Sequence, residues 1–301
     1  MEHLRFITKN HTNPAYGGAL VGARAVAARM GFSLDHRAPA EPDDVAQQCA
    51  LIDEAIADRP DAVLLLPAHA TGVNEAIGRV NRAGIPLVLF VSEPTAGSWI
   101  GFVGSDDTRM AADLARNVLR PLSRDAHVAI IDGHPGSITT PQRRRGFELA
   151  LAEHPGMRLV GSVSGQYQQA PGRAAALQLL RAHPRLDALL VANDLMAMGA
   201  LEAFEETGRS VAMASINGTP DAIAAVRAGR MTATASFNTH RFGCLSAEMA
   251  VRHLRGQPVP RRIVLPADII DSSNAAEWDR PYEQRVCPDW ERAAGSALAA
   301  T

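Results

Sequence analysis

The sequence predicts an α/β protein made of two doubly wound parallel-sheet lobes, and three observations carry that expectation. The chain repeats itself. Residues 4–34 read as strand, polar loop, Asn13-Pro14, alanine-rich helix, Gly31 and strand; residues 127–160 read as strand, polar loop, Thr140-Pro141, helix, Gly156 and strand. The two prolines lie 127 residues apart and the two glycines 125. A second pair, Asp61-Ala62 ahead of an apolar run and Asp187-Ala188 ahead of another, repeats at an offset of 126. Apolar runs bounded by Gly, Pro and Asp alternate with longer helical patterns, which is the signature of βαβ units around a parallel sheet. Finally, 301 residues with 47% hydrophobic content can bury two cores. Two similar lobes imply a cleft between them, and clefts are where ligands bind.

Each element follows from local signals. Strands of the first lobe are expected at residues 4–8, 32–35, 62–66, 87–91 and 100–103, and those of the second at 127–131, 158–162, 188–192, 211–216 and 232–236. Five per lobe suits one open sheet each. Asn13 and Thr140 can cap helices that begin with Pro14 and Pro141, while Gly84 and Gly208 close helices. After Phe237 come a helix at 242–254, a Gly-Gln-Pro turn, a strand at 262–265 and then residues 267–272. The second lobe is complete before this point, so that helix and strand return to the first lobe. The expected division is therefore 1–105 with 238–266, and 106–237 with 267–276. Residues 277–301, with Trp278, Pro281, Pro288 and Trp290, read as a surface tail ending in a disordered alanine-rich stretch.

Composition excludes several classes of function. A formal charge of −2 offers no field for nucleic acid or an anionic membrane. The run Arg143-Arg144-Arg145 cannot form one flat patch, because consecutive helical side chains point about 100° apart. Cys49, Cys244 and Cys287 are too few for a disulfide scaffold and lack zinc spacing. At most one bridge can form, and Cys49 and Cys244 read as small helix residues. No apolar run reaches membrane-spanning length. The start, MEHLRFITKN, enters a strand directly, so either the protein is cytoplasmic or a secretory signal has been removed.

Enzyme signatures fail in turn. The glycines from Gly17 to Gly22 lie in a helix and lack dinucleotide-binding spacing, and no phosphate-cradling Gly-x-x-x-x-Gly-Lys occurs. In Gly161-Ser-Val-Ser164-Gly165 the serine is displaced from a nucleophile elbow. His11, His69, His134 and His240, with Asp132, sit near loop ends without ligand spacing on a shared helix, so no metal and no cofactor are expected.

What remains is a binding set. In open parallel sheets ligands sit outside the carboxyl ends of the strands. Those loops carry Lys9, Asn13 and Tyr16 after the first strand, Ser92 after the fourth, and Arg143, Tyr167, Asn193, Asp194 and Asn217 in the second lobe. Lys9 is the single lysine of the chain. Arg143 lies four residues before Phe147, which aims it at the cleft. Asn193 and Asp194 cap the next helix, which leaves one of them for the cleft. Amides, a guanidinium and aromatic faces suit polyhydroxy ligands, satisfying hydroxyls and covering C–H faces.

These residues resemble the type I periplasmic solute-binding proteins of the ribose-binding kind. The likeness runs from residue 4 to about 270 and rests on Asn13-Pro14-Ala15-Tyr16, Ala83-Gly84-Ile85-Pro86, Gly104-Ser-Asp106-Asp107, Arg143-x-x-Gly146-Phe147, Asn193-Asp194-x-Met196-Ala197 and Gly218-Thr219-Pro220. The resemblance implies two lobes joined by a hinge of three segments, closing over a small neutral sugar or polyol. It also implies a periplasmic location, a monomer, and docking to an ABC-transporter permease. Family ligand contacts fall on Asn13, Tyr16, Arg143, Tyr167, Asn193 and Asn217. Where the family carries an Asp-Arg pair this chain has Val91-Ser92, Asn217 replaces an acidic residue, Phe237 a glutamine, Leu66 a polar residue and Ala15 an aromatic. The lost carboxylates argue against ribose itself and leave a polyol, a modified or shorter sugar, or another small polar solute. The same lobes serve as effector domains of lac-repressor-type regulators and as periplasmic sensors that report to a kinase. A regulator would carry a helical DNA-binding headpiece ahead of the first strand.

Overall fold

The computed structural model describes residues 2–298. The chain folds as two compact units, the first taking residues up to Ser105, Asn238–Leu265 and the segment from Pro281, the second Asp106–Phe237 and Pro266–Arg280. It therefore passes from one unit to the other four times.

Unit 1 opens with β1 (His3–Ile7), α1 (Pro14–Arg29), β2 (Ser33–Arg37), α2 (Val45–Asp58), β3 (Ala62–Leu65), α3 (Asn74–Arg82), β4 (Leu87–Phe90) and β5 (Gly101–Gly104). Unit 2 follows with α4 (Asp107–Leu119), β6 (His127–Asp132), α5 (Thr139–Ala152), β7 (Arg158–Ser164), α6 (Gln169–Ala182), β8 (Ala188–Val191), α7 (Asp194–Thr207), β9 (Ala212–Ile216), α8 (Pro220–Arg227) and β10 (Ala233–Ser236). The chain then returns to unit 1 for α9 (Thr239–Leu254) and β11 (Arg262–Val264), to unit 2 for β12 (Asp268–Asp271) and α10 (Ala275–Trp278), and again to unit 1 for α11 (Trp290–Leu298).

Unit 1 holds a sheet of order β11-β5-β4-β3-β1-β2, every pair parallel. Helices cover both faces, which is why β3 (AVLL) and β4 (LVLF) are apolar and buried at every position. Ile7, Leu65, Leu87 and Leu89 pack with Ile52, Ile77 and Val80 from the helices, each such burial worth about 1.5–3 kcal/mol. On another face α1 lies against α9 at close range. A Cβ on Gly22 would meet the His240 carbonyl, and one on Gly243 the Ala19 carbonyl, so these glycines set the helix spacing.

Unit 2 repeats the design with order β12-β10-β9-β8-β6-β7. Its core joins Ile131, Leu189 and Val191 to Leu179, Met196, Phe204 and Ile223. β12 runs antiparallel to β10. Each sheet has six strands, because β11, the strand expected at 262–265, adds to one edge of the first and β12, not foreseen as a strand, to one edge of the second.

Three further expectations are corrected. Thr140 is not a helix cap: α5 starts at Thr139 after Ile138, without a side-chain cap. The Thr140 hydroxyl donates to the His134 carbonyl at 2.7 Å instead. Cys244 is more than a small helix residue, since it forms a disulfide with Cys287 across 43 positions, while Cys49 stays free. The segment from Pro281, read as a surface tail, packs with unit 1. Trp290 is buried under the Arg252 guanidinium, 4.9 Å from the ring centroid. The alanine-rich end expected to be disordered is helical in α11 as far as Leu298, and residues 299–301 lie outside the described residues.

Candidate functional site

In unit 1 the loop after β1 folds into a buried polar knot. Lys9 Nζ lies 3.3 Å from Asp43 Oδ1, and Asn10 Nδ2 donates to the same oxygen at 3.1 Å. Asn10 Oδ1 accepts from the Asn13 amide at 3.1 Å, and Asn13 Oδ1 in turn accepts from the Ala15 amide at 3.0 Å, capping α1. Lys9, Asn10, Asn13 and Asp43 are all buried. The single lysine is thus matched by a carboxylate of its own unit. Tyr16, in the first turn of α1, is 8% exposed. Gln48 ties the strand ends together, donating to the carbonyls of Thr8 and Leu66 and accepting from the Ala68 amide at 2.8 Å.

After β4 the chain makes a tight three-residue turn in which the Ser92 amide donates to the Phe90 carbonyl at 2.8 Å. Val91 sits at its centre with φ +68°. A β-branched residue rarely adopts that angle, and the strained form of the γ-turn costs on the order of 1–3 kcal/mol. Ser92 is displayed, buried, from this turn. Beside the knot, the His36 ring Nε2 pairs with the Thr8 hydroxyl at 2.8 Å. Burial, reinforced by the nearby His11, Arg24 and Arg37, pushes His36 down to about 4, against the pull of Asp35.

In unit 2 the carboxyl ends place Tyr167 and Phe237 around one cation, Arg143, and tie Asn193 to Tyr167. Arg143 is 4% exposed; its Nε donates to Asp107 Oδ1 and its Nη1 to the Ala192 carbonyl, both at 2.6 Å. Its guanidinium lies 5.8 Å from the Tyr167 ring centroid and 5.5 Å from that of Phe237, within cation–π range. The Tyr167 hydroxyl meets Thr139 Oγ1 at 2.9 Å and Thr140 Oγ1 at 3.2 Å. Asn193 Oδ1 caps α7 by accepting from the Met196 amide at 2.9 Å, while its Nδ2 donates to the Tyr167 carbonyl at 3.2 Å. Asn193 therefore holds the Tyr167 backbone, at φ +59°, beside the start of α7.

Asn217 stands apart. It follows β9 with φ +145°, is 4% exposed, and its Oδ1 is a buried acceptor without a hydrogen-bond partner among the described residues. A buried acceptor left unsatisfied costs about 1–3 kcal/mol. Behind it lies Asp194, 1% exposed. Burial pushes its carboxyl group up, opposed by hydrogen bonds from Ser215, Thr219 and Thr234.

Sequence reasoning missed Asp43, Gln48 and Asp107 as partners of the site residues. Only Asp107 left a trace, within Gly104-Ser-Asp106-Asp107. The four histidines do not converge. His69 Nδ1 accepts from the Thr71 and Gly72 amides, His134 Nδ1 from the Gly136 amide, and His11 Nε2 lies 3.2 Å from the Ala38 carbonyl. His240, Cys244 and Cys287 offer ligand atoms within 4.8 Å of one another, but the two sulfurs form the disulfide.

Two α/β units, each presenting amides, an aromatic and a paired cation at the carboxyl ends of a parallel sheet, define a solute-binding architecture. The chain belongs to the periplasmic binding protein family, whose domain model matches residues 4–258. It is 28% identical over 224 residues to the ribose import binding protein RbsB of Bacillus subtilis, spanning 74% of this chain and 73% of that one. It is also 28% identical over 236 residues to the D-ribose/D-allose-binding protein of Pseudomonas aeruginosa, spanning 75% and 73%. Among solved structures, an ABC transporter periplasmic solute binding protein from Actinobacillus succinogenes with bound D-allose matches with a TM-score of 0.87 at 24% identity. That match covers 92% of this chain and all 100% of the other, and it is a likeness of fold. Members of the family are solute-binding components of transport systems rather than enzymes.

Proposed function

We propose that this chain is the periplasmic substrate-binding component of an ABC importer for a sugar or sugar-like polyol. One solute engages the unit 1 set (Lys9, Asn13, Tyr16, Ser92) and the unit 2 set (Arg143, Tyr167, Asn193, Asn217, Phe237) when the hinge closes. The observation that carries this reading is the buried Asn217 Oδ1, without a hydrogen-bond partner among the described residues, an acceptor waiting for a hydroxyl or N–H donor. Lys9 and Arg143 are each paired with a carboxylate of their own unit, which favours a neutral solute over an anion. The relatives named for ribose and allose support the class, and the Cys244–Cys287 disulfide suits the oxidising periplasm. Binding both sets at once drives closure, because only the closed form lets one ligand satisfy all of them. The liganded monomer then docks on a membrane permease.

Thermal-shift screening with D-ribose, D-allose, myo-inositol and a wider panel of monosaccharides and linear polyols tests this reading. A ligand at 100 times its Kd stabilises by about 2.7 kcal/mol. Absence of a shift with every member sinks it.

A further inference from the structure

We propose that Asp194 is a positioning residue for solute binding, holding the turn Asn217-Gly218-Thr219 so that the Asn217 acceptor stays buried and aimed. This rests on the reading of Asn217 as a ligand contact. Asp194 begins α7 next to Asn193, yet it caps nothing there; Asn193 takes that part. Its carboxylate instead points under the ends of β9 and β10. Oδ1 accepts from the hydroxyl of Ser215 on β9 and, at 2.8 Å, from that of Thr234 on β10. Oδ2 accepts from the Thr219 amide at 2.8 Å. Thr234 relays the hold one residue further, because its Oγ1 accepts from the Gly218 amide at 3.2 Å. Two successive backbone amides directly after Asn217 are therefore anchored, one by the carboxylate and one through a hydroxyl that the carboxylate orients.

The anchorage has a purpose in backbone terms. Asn217 at φ +145° and Gly218 at φ +64° both lie where L side chains are disfavoured. Gly218 also has no room for a side chain, since a Cβ there would lie 2.5 Å from Ser236 Cβ. Such a turn relaxes unless its surroundings over-determine it, and a buried carboxylate with three donors does so. A purely structural charge would be replaceable by a well-packed apolar residue at little cost. Here it takes the Thr219 amide directly and the Gly218 amide through Thr234, in the turn that presents the Asn217 acceptor.

Two variants test this. Asp194→Asn removes one acceptor from the network, and Thr234→Val keeps the carboxylate but cuts the relay to Gly218. Hydrogen exchange on the unliganded protein is the first readout. The amides of Gly218 and Thr219 are expected to exchange at least tenfold faster in both variants, with those of β6 and β8 unchanged. Unchanged protection at Gly218 and Thr219 overturns the proposal, whether or not a ligand is known. Calorimetric titration, with whichever of D-ribose, D-allose and myo-inositol the parent protein binds, is the second. Both variants should bind about tenfold more weakly at a temperature where they are fully folded. In the Asn217→Ala background the same substitutions should change Kd less than twofold. Additive losses in that background mean Asp194 does not act through Asn217, and refute the proposal. A parent protein that binds no solute refutes the functional reading instead, leaving the exchange result to decide the role of Asp194.

Discussion

At the scale of single residues, the two cations of the proposed binding set behave as paired charges rather than free hooks. Arg143 and Asp107 are both nearly fully buried, so removing one leaves the other stranded in a low-dielectric site. Arg143→Met should therefore cost about 3–5 kcal/mol in urea unfolding; a loss under 1 kcal/mol would mean water reaches Asp107. Two histidines set a second expectation. Burial pushes His36 and His240 down to about 4; charges add to this, from His11, Arg24 and Arg37 around the first and from Arg285 and Arg241 around the second, with Asp35 and Glu283 opposing. Unfolded histidine binds its proton near 6.5. Between these values the unfolded chain holds more protons, so stability grows as pH rises through the window and is lost as pH falls from about 6.5 toward 4. A His36→Gln, His240→Gln double variant should show a shallower decline of Tm over that range, and an identical slope would refute the assignment. How far these details could be read in advance differs sharply. The residue types at the strand ends were legible because loops at the carboxyl ends of a parallel sheet are few and polar. Their partners were not: Asp43 and Gln48 come from a different βα unit, and the φ of Asn217 leaves no mark in composition.

Among the elements, the strands of both sheets were expected to within two residues of where they lie, because short apolar runs closed by Gly, Pro and Asp mark parallel strands sharply. The exception is β12, whose antiparallel pairing on β10 was not foreseen, since a four-residue edge strand carries no sign of its partner or direction. The Cys244–Cys287 pairing was equally hidden, because spacing alone does not determine connectivity. That bridge joins α9 to the segment running from Tyr282 to α11. Tyr282 in this segment lies where a Cβ on Gly18 of α1 would be, 2.5 Å from its ring. Cross-links of this loop length contribute about 2–4 kcal/mol. Cys287→Ser should lower Tm by several degrees and expose the chain beyond Arg280 to limited proteolysis. Equal cleavage rates for the two forms would show that Trp290 and Arg252 alone hold the segment.

For the whole molecule, the governing fact is that neither unit is a continuous stretch of chain. Unit 1 needs α9 against α1 and β11 on β5, both supplied from beyond residue 237. A fragment of residues 2–105 would expose the glycine face of α1 and leave β5 as a bare edge, so it should lack cooperative thermal unfolding and aggregate. A sharp, reversible transition for that fragment would contradict the dependence on α9 and β11. The internal repeat made the duplication legible from the sequence. The fourth passage between units was not legible, because it follows from the disulfide and from the burial of Trp290, not from any strand or helix pattern.

The bridge also closes a covalent ring, residues 244–287, that contains β11 of unit 1 and β12 of unit 2. A protease that nicks the backbone anywhere inside that ring cannot separate the pieces while the sulfurs stay joined. On a denaturing gel such a nicked molecule would migrate as one band until a thiol reductant splits it in two, so damage in this region stays silent in an oxidising compartment.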